Sequence, residues 1–317
     1  MDYALQDVDF SELSLSLQEL AEGPRWQGGS FYWCNITRGE VWKWTPDLHF
    51  FNADSAEKPL LPALSKPELL VKASSMVGAF CFDREERLIL LTEKGLELYE
   101  GEGESRLLLP VSFKKGGRFN DCIVDPSGRI LAGTLYPDHE GGALFSFSPD
   151  GKGGFFKGEE LLSGIKISNG MAFSADGRRF YHTDTARGTI ISYEYLEEEG
   201  LLGGIQDVIK IEPEMGGPDG MIMDDGVLWT ALWGGSAILL LSTEGVAWGK
   251  NMGRSEGRIL GKIECPALQP TSIALSPVFD DRRMILVTTA AYGAVDGDNG
   301  LSPQGEFLGG KIYIAVI

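Results

Sequence analysis

The feature that most limits what this chain can become is a self-similarity at intervals of about fifty residues. Six segments fall into register: Glu22-Gly23-Pro24-Arg25-Trp26, Gly78-Ala79-Phe80-Cys81-Phe82, Asn120-Asp121-Cys122-Ile123-Val124, Asn169-Gly170-Met171-Ala172-Phe173, Asp219-Gly220-Met221-Ile222-Met223 and Thr271-Ser272-Ile273-Ala274-Leu275. Each opens on a polar residue or a glycine and runs into an apolar stretch. In the last five, a turn former stands five places on, at Asp83, Asp125, Ser174, Asp224 and Ser276. Second strands are then expected at 88–92, 129–134, 179–184, 227–232 and 284–290, and third strands at 95–99, 142–147 and 189–195. The intervals between opening residues are 56, 42, 49, 50 and 52, with 46 residues left after Thr271.

A unit of roughly 50 residues carrying three or four short strands is the signature of a propeller blade. The expected fold is therefore all-β: a six-bladed β-propeller of four-stranded antiparallel blades around a central channel. Glycine, at 42 of 317 residues and scattered, suits many tight turns. No break in composition divides the chain, so residues 1–317 are read as one domain. The wide first interval holds the prolines Pro59 and Pro67, and residues 45–75 are a candidate lid or an ordinary surface excursion. Ring closure is expected between the terminal strand 311–317 and a strand in residues 13–20. Residues 11–21 also suit a helix, although Leu13, Leu15 and Leu17 alternate.

In a propeller the first strand of each blade lines the axis, so equivalent positions gather at one end of the channel. Here the gathered set is Glu22, Gly78, Asn120, Asn169, Asp219 and Thr271. Two carboxylates confined together repel strongly unless something compensates. A divalent cation is the simplest compensation, and oxygen donors from Glu, Asp and Asn suit Ca²⁺, Mg²⁺ or Mn²⁺. The ring lacks His and Cys, which argues against a structural zinc site but leaves zinc held by oxygens and water open. Any one Asn-Gly or Asp-Gly pair is ordinarily a turn former; four such residues at one phase of a sixfold repeat favour a metal site.

Arg118, two residues before Asn120, is placed to reach the same mouth and to bind a substrate oxygen through its fork of donors. Asp138, in the loop after strand 129–134, is a further candidate for substrate binding. His182 is read as packed within its strand, and His49 as packing beside Phe50 and Phe51. With three histidines and no nucleophile elbow, a Ser-His-Asp hydrolase is disfavoured. The Gly151-Lys152-Gly153-Gly154 run lacks the strand-to-helix setting of a phosphate loop and is read as a turn.

A formal charge of −18 argues against nucleic acid or an anionic membrane as partner. No stretch approaches the ~20 apolar residues of a membrane span. The N-terminus lacks the features of a signal peptide. Cys34, Cys81, Cys122 and Cys265 show no C-x-x-C spacing and fit free thiols in a reducing compartment, so the cytoplasm is expected.

Several motifs, taken in order, carry a resemblance. Glu22-Gly23-Pro24-Arg25-Trp26 looks like E-G-P-x-W. Arg118-Phe119-Asn120-Asp121 with Asp125-Pro126-Ser127-Gly128-Arg129 looks like R-x-N-D…D-P-x-G-R. Ser168-Asn169-Gly170 with Ser174-Ala175-Asp176-Gly177, Pro218-Asp219-Gly220 and Pro270-Thr271-Ser272 complete the series. Together they resemble the gluconolactonase/regucalcin (senescence marker protein) family of six-bladed propellers, over about residues 20–290. The resemblance implies one divalent metal ion, Ca²⁺ foremost with Zn²⁺, Mn²⁺ or Mg²⁺ as alternatives, held by Glu22, Asn169 and Asp219. It also implies that Asn120 and Arg118 contact a small-molecule lactone or the metal-bound water, and that Asp219 is the catalytic acid/base. The expected activity is metal-dependent opening of a sugar-type lactone. A non-catalytic calcium-binding propeller, or an esterase or phosphotriesterase at the same site, is the alternative. The family's substrate-contacting acid has no direct match in Gly133-Thr134-Leu135-Tyr136-Pro137-Asp138, where Asp138 is the stand-in. Trp33-Cys34-Asn35 also departs from the family's apolar-x-Asp pattern.

Overall fold

Turn chemistry cuts the chain into strands where the repeat places its turn formers. Asp83 Oδ1 accepts the backbone N–H groups of Glu85 and Arg87 at 2.9 Å, and Asp125 Oδ1 accepts that of Arg129 at 2.7 Å. Ser174 and Ser276 act likewise through their hydroxyls, accepting the N–H groups of Arg179 and Met284. Such side-chain bonds satisfy backbone amides in the turn and so end the strand. After Asp224 the chain turns on two residues of positive φ, Asp225 (44°) and Gly226 (77°), the primed geometry whose twist matches the flanking strands. The glycine-rich run at 151–154 is a turn too, with Asp150 Oδ1 accepting the N–H groups of Lys152 and Gly154.

The computed structural model describes residues 8–13, 16–48, 65–114, 116–243, 258–291 and 308–317. Among these residues the strands form six four-stranded antiparallel sheets. The first blade is β2 (Ala21–Gln27), β3 (Ser30–Asn35), β4 (Glu40–Trp44) and β5 (Glu68–Lys72). The second is β6 (Val77–Phe82), β7 (Leu88–Thr92), β8 (Gly95–Gly101) and β9 (Glu104–Pro110). The third is β10 (Arg118–Val124), β11 (Ile130–Leu135), β12 (Gly142–Phe147) and β13 (Glu159–Ile165). The fourth is β14 (Ser168–Phe173), β15 (Arg179–Asp184), β16 (Thr189–Leu196) and β17 (Leu201–Lys210). The fifth is β18 (Gly217–Asp224), β19 (Val227–Trp233), β20 (Ala237–Ser242) and β21 (Ile259–Glu264).

The sixth blade comes from both ends of the chain. It runs β22 (Pro270–Leu275), β23 (Met284–Thr289), β24 (Ile312–Val316) and, outermost, β1 (Ser11–Glu12). Ser11 stands opposite Ile314 and Glu12 opposite Tyr313, and the Leu13 N–H donates to the Ile312 carbonyl at 2.8 Å. Closure by the N-terminus is as expected, but the strand lies at 11–12, and the described residues of 13–20 add no strand. Leu13 is buried while Leu17 is 47% exposed, so the leucine alternation does not define one buried face. Further along, the Gln18 N–H donates to the Gly310 carbonyl. Of the 45–75 stretch, residues 68–72 are β5, the outer strand of the first blade. Residues 49–64 lie outside the described residues, and so does His49.

Packing explains why the second strands read as unbroken apolar runs. Six apolar clusters occupy the six junctions between neighbouring blades. Trp229, Ile238, Ile273 and Ile285 join the fifth and sixth blades, and Phe31, Trp33, Leu286 and Ile314 join the sixth to the first. The other four clusters fill the remaining junctions. With a neighbour on each face, all five residues of β7 are buried. The outer strand β13 has a neighbour on one side only and is mostly exposed. The inner strands β2, β6, β10, β14, β18 and β22 touch one another in that order and back to β2, which makes the ring that carries the site.

Candidate functional site

Every inner strand breaks register at the opening position of the repeat. Pairing shifts between Glu22 and Arg25, Val77 and Ala79, Phe119 and Asp121, Asn169 and Met171, Pro218 and Met221, and Pro270 and Ser272. Gly78, Asn120 and Thr271 are themselves left out of the ladder; elsewhere the unpaired residues include or adjoin the opening one. A bulge frees a residue from strand alternation and re-aims its side chain. Crowding accompanies it. A Cβ on Gly170 would stand 2.3 Å from the Asp219 carbonyl oxygen, and one on Gly78 would stand 2.0 Å from that of Phe119. Only glycine lets neighbouring inner strands approach this closely.

Four of the six opening residues carry the site's polar chemistry. Glu22, Asn120, Asn169 and Asp219 are 7%, 6%, 5% and 2% exposed, so each is shielded from bulk water. Asn120 Nδ2 donates to the Ser168 carbonyl at 2.8 Å, and Asn120 Oδ1 accepts from Arg118 Nη1 at 2.5 Å. Arg118 Nη1 also donates to the Phe119 carbonyl. Asn169 Nδ2 donates to Thr185 Oγ1 at 3.1 Å, which turns the amide oxygen the other way. That oxygen, Asn169 Oδ1, and Asp219 Oδ1 are both buried, and neither has a hydrogen-bond partner among the described residues. Glu22 Oε2 accepts a local bond, from the Gly23 N–H at 3.0 Å.

The carboxyl groups feel the burial and each other. Burial, and then the charge of Asp121, pushes Glu22 from 4.5 to about 8. Burial, then Glu22, then Asp121 hold the Asp219 carboxyl well above the usual carboxylate range. Burial raises Asp121 as well, against the opposing pull of Arg25. Without a compensating cation this ring favours neutral carboxylic acids.

Thr271 and Asp138 stand apart from that chemistry. Thr271 Oγ1 donates to the Ala21 carbonyl at 2.6 Å and lies 2.8 Å from Thr288 Oγ1, tying the sixth blade to the first. Asp138 lies on an exposed turn after β11, where its Oδ1 accepts the Glu140 N–H at 3.1 Å. His182 is packed in its strand as expected, with Nε2 2.7 Å from Ser168 Oγ and a pKa lowered to about 4 by burial. The reading from sequence missed Asp121 and Arg25, both of which line the channel below the opening residues. Regular alternation sets Asp121 and Asn120 on opposite faces, and only the bulge at Asn120 brings both to the axis.

Among the described residues, no three His, Cys, Asp or Glu side chains gather into a metal cage. The set here is two carboxylates and a carboxamide. Its fit to a cation rests on the two orphaned oxygens, since leaving buried acceptors unmet is costly. Hard oxygen donors with vacant lone pairs suit a hard divalent ion.

Residues 20–291 match the family described as SMP-30/Gluconolactonase/LRE-like region. The chain belongs to this family. Among its SMP-30/gluconolactonase relatives, the pentonolactonase XacC of Haloferax volcanii is 28% identical over 89% of this chain and 84% of its own. A 6-deoxy-6-sulfogluconolactonase of Pseudomonas putida is 29% identical, over 86% of this chain and 83% of its own. In structure, a calcium-binding regucalcin from Agrobacterium tumefaciens superposes with a TM-score of 0.76 at 23% identity, covering 97% of this chain and 93% of that one. That likeness speaks to the fold.

Proposed function

We propose that this propeller opens a sugar-type lactone by metal-dependent hydrolysis at the axial ring. The observation that carries the reading is the pair of orphaned oxygens, Asn169 Oδ1 and Asp219 Oδ1, buried beside the Glu22 carboxyl. The names of the pentonolactonase and sulfogluconolactonase relatives support the substrate class. Glu22, Asn169 and Asp219 would hold the ion, with Ca²⁺ the foremost fit and Mg²⁺, Mn²⁺ or Zn²⁺ alternatives. When bound, the ion supplies Lewis-acid polarisation of the lactone carbonyl and acidifies water.

The chain's own groups do the rest. Asp219, ionised once a cation offsets its neighbours, accepts the proton of the attacking water and returns it to the ring oxygen as the ester bond breaks. Arg118 and Asn120, locked to each other and to the Ser168 carbonyl, present fixed donors to the lactone's oxygens, a contribution of positioning. Asp138, exposed on the turn after β11 at the end of the blade where Arg118 pairs with Leu135, would be a further substrate contact. Residues 1–317 form one domain in this reading. Four buried free cysteines fit a reducing compartment such as the cytoplasm. The charge of −18 disfavours nucleic acid or an anionic membrane surface as partner, and among the described residues no helix is long and apolar enough to cross a bilayer.

The test is a panel of sugar γ- and δ-lactones, with aryl esters and phosphotriesters as comparison, followed by proton release before and after chelation. Lactone opening that chelation abolishes and Ca²⁺, Mn²⁺, Mg²⁺ or Zn²⁺ restores is expected. Ion binding without turnover on any lactone would overturn the enzymatic reading in favour of a binding propeller.

A further inference from the structure

Arg25 shares β2 with Glu22 but lies past the bulge, three residues further along the strand. Its guanidinium turns into the channel. Nε donates to the Phe80 carbonyl of the second blade at 3.0 Å, and Nη2 donates to the Cys122 carbonyl of the third. The group stands 5.8 Å from the Phe80 ring centroid, a cation–π distance. A single side chain of the first blade thereby bridges the inner strands of the next two. Asp121 grips Cys122 from its other end, with Oδ1 accepting the Cys122 N–H at 2.7 Å. Both charged groups line one axial cavity of about 300 Å³, with Met171, Met221 and Ser272.

Arg118 is the guanidinium that acts on Glu22, while Arg25 is the one that favours the ionised form of Asp121. Asp121 in turn is a charge felt by both Glu22 and Asp219. We propose that Arg25 is the fixed counter-charge of Asp121, and that it thereby sets how tightly Glu22, Asn169 and Asp219 hold a divalent cation. With Arg25 in place, its positive charge opposes that of the ion and offsets the charge Asp121 carries when ionised. Without it, that opposing positive charge is gone from a poorly screened channel, and the ion binds more tightly. Arg25 is a positioning residue that keeps the ion exchangeable. A mere strut between three blades predicts the opposite sign, because its loss would loosen the inner strands and weaken ion binding.

The inference rests on the ion-site reading above, and one calorimetric series separates the two. Ca²⁺ is titrated into chelator-treated wild type, Arg25→Met and Arg25→Lys, each first checked for a cooperative thermal transition. Wild type should bind Ca²⁺, Arg25→Met should bind it roughly tenfold more tightly, and Arg25→Lys should stay within about threefold of wild type. Unchanged or weaker binding in Arg25→Met overturns the counter-charge role, as does equal tightening in Arg25→Lys. If Arg25→Met does not fold, Arg25→Gln, which keeps donors for the Phe80 carbonyl, carries the same expectation. Failure of both to fold also overturns the proposal and leaves Arg25 as a strut. A wild type that binds neither Ca²⁺ nor Mn²⁺, Mg²⁺ or Zn²⁺ removes the ion site itself and the inference with it.

Discussion

At the scale of single residues, the site is a set of groups placed where each alone would be costly. Asp219 is the sharpest case, a buried carboxyl with one oxygen unmet. Replacing it by Asn keeps the shape and removes the charge. Asp219→Asn should lower turnover at least ~10²-fold and abolish ion binding while leaving the fold intact, as read by lactone assay and calorimetry. Glu22 yields a pH prediction. Its carboxyl titrates at 4.5 when free and at about 8 in the fold, so the folded state holds the proton across that window and the unfolded state does not. Stability from this group is complete below pH 4.5 and is lost as pH rises towards about 8. The melting temperature of chelated protein should therefore fall across this range. Glu22→Gln should flatten the slope, and added divalent ion should reverse it.

At the scale of elements, the inner strand with its bulge is the working unit. Its glycines are fixed by contact rather than by flexibility. Gly170→Ala would drive a Cβ into the Asp219 carbonyl, and the expected cost is about 1–3 kcal/mol by denaturant titration, with weaker ion binding. Much of this scale could be read in the sequence. Strands at 88–92, 179–184 and 142–147 fall where the apolar runs predicted, because turn formers bound them on both sides. The bulges could not be read. Nothing in Asn120-Asp121 says that the ladder skips a residue there, and without that skip Asp121 points away from Asn120. For the same reason Arg25 reads as one more residue of an outward-alternating strand. Asn169 and Asp219 are legible because four polar residues recur at one phase of the repeat; that Thr185 holds the nitrogen end of the Asn169 amide, and so leaves its oxygen unmet, is written in no motif.

At the scale of the whole molecule, six blades make one ring only if the ends meet. The closing strand is two residues long, too short to read from the sequence, where the alternation of Leu13, Leu15 and Leu17 draws the eye past it. Closure relies on backbone pairing and on buried Leu13 rather than on the Lys311–Glu12 ion pair, which is partly exposed and worth ~0–1 kcal/mol. Deleting residues 1–13 should lower the melting temperature by roughly 5 °C or more, whereas Lys311→Ala should shift it little. The ring is what brings Glu22, Asn169 and Asp219, far apart in the chain, to one axis. The measurement that tests this most directly is anomalous diffraction from crystals soaked in Mn²⁺ after chelation. The account predicts a single anomalous peak on the propeller axis, within coordinating distance of Glu22, Asn169 and Asp219. An axis without such a peak, or an ion bound away from those three residues, would contradict it.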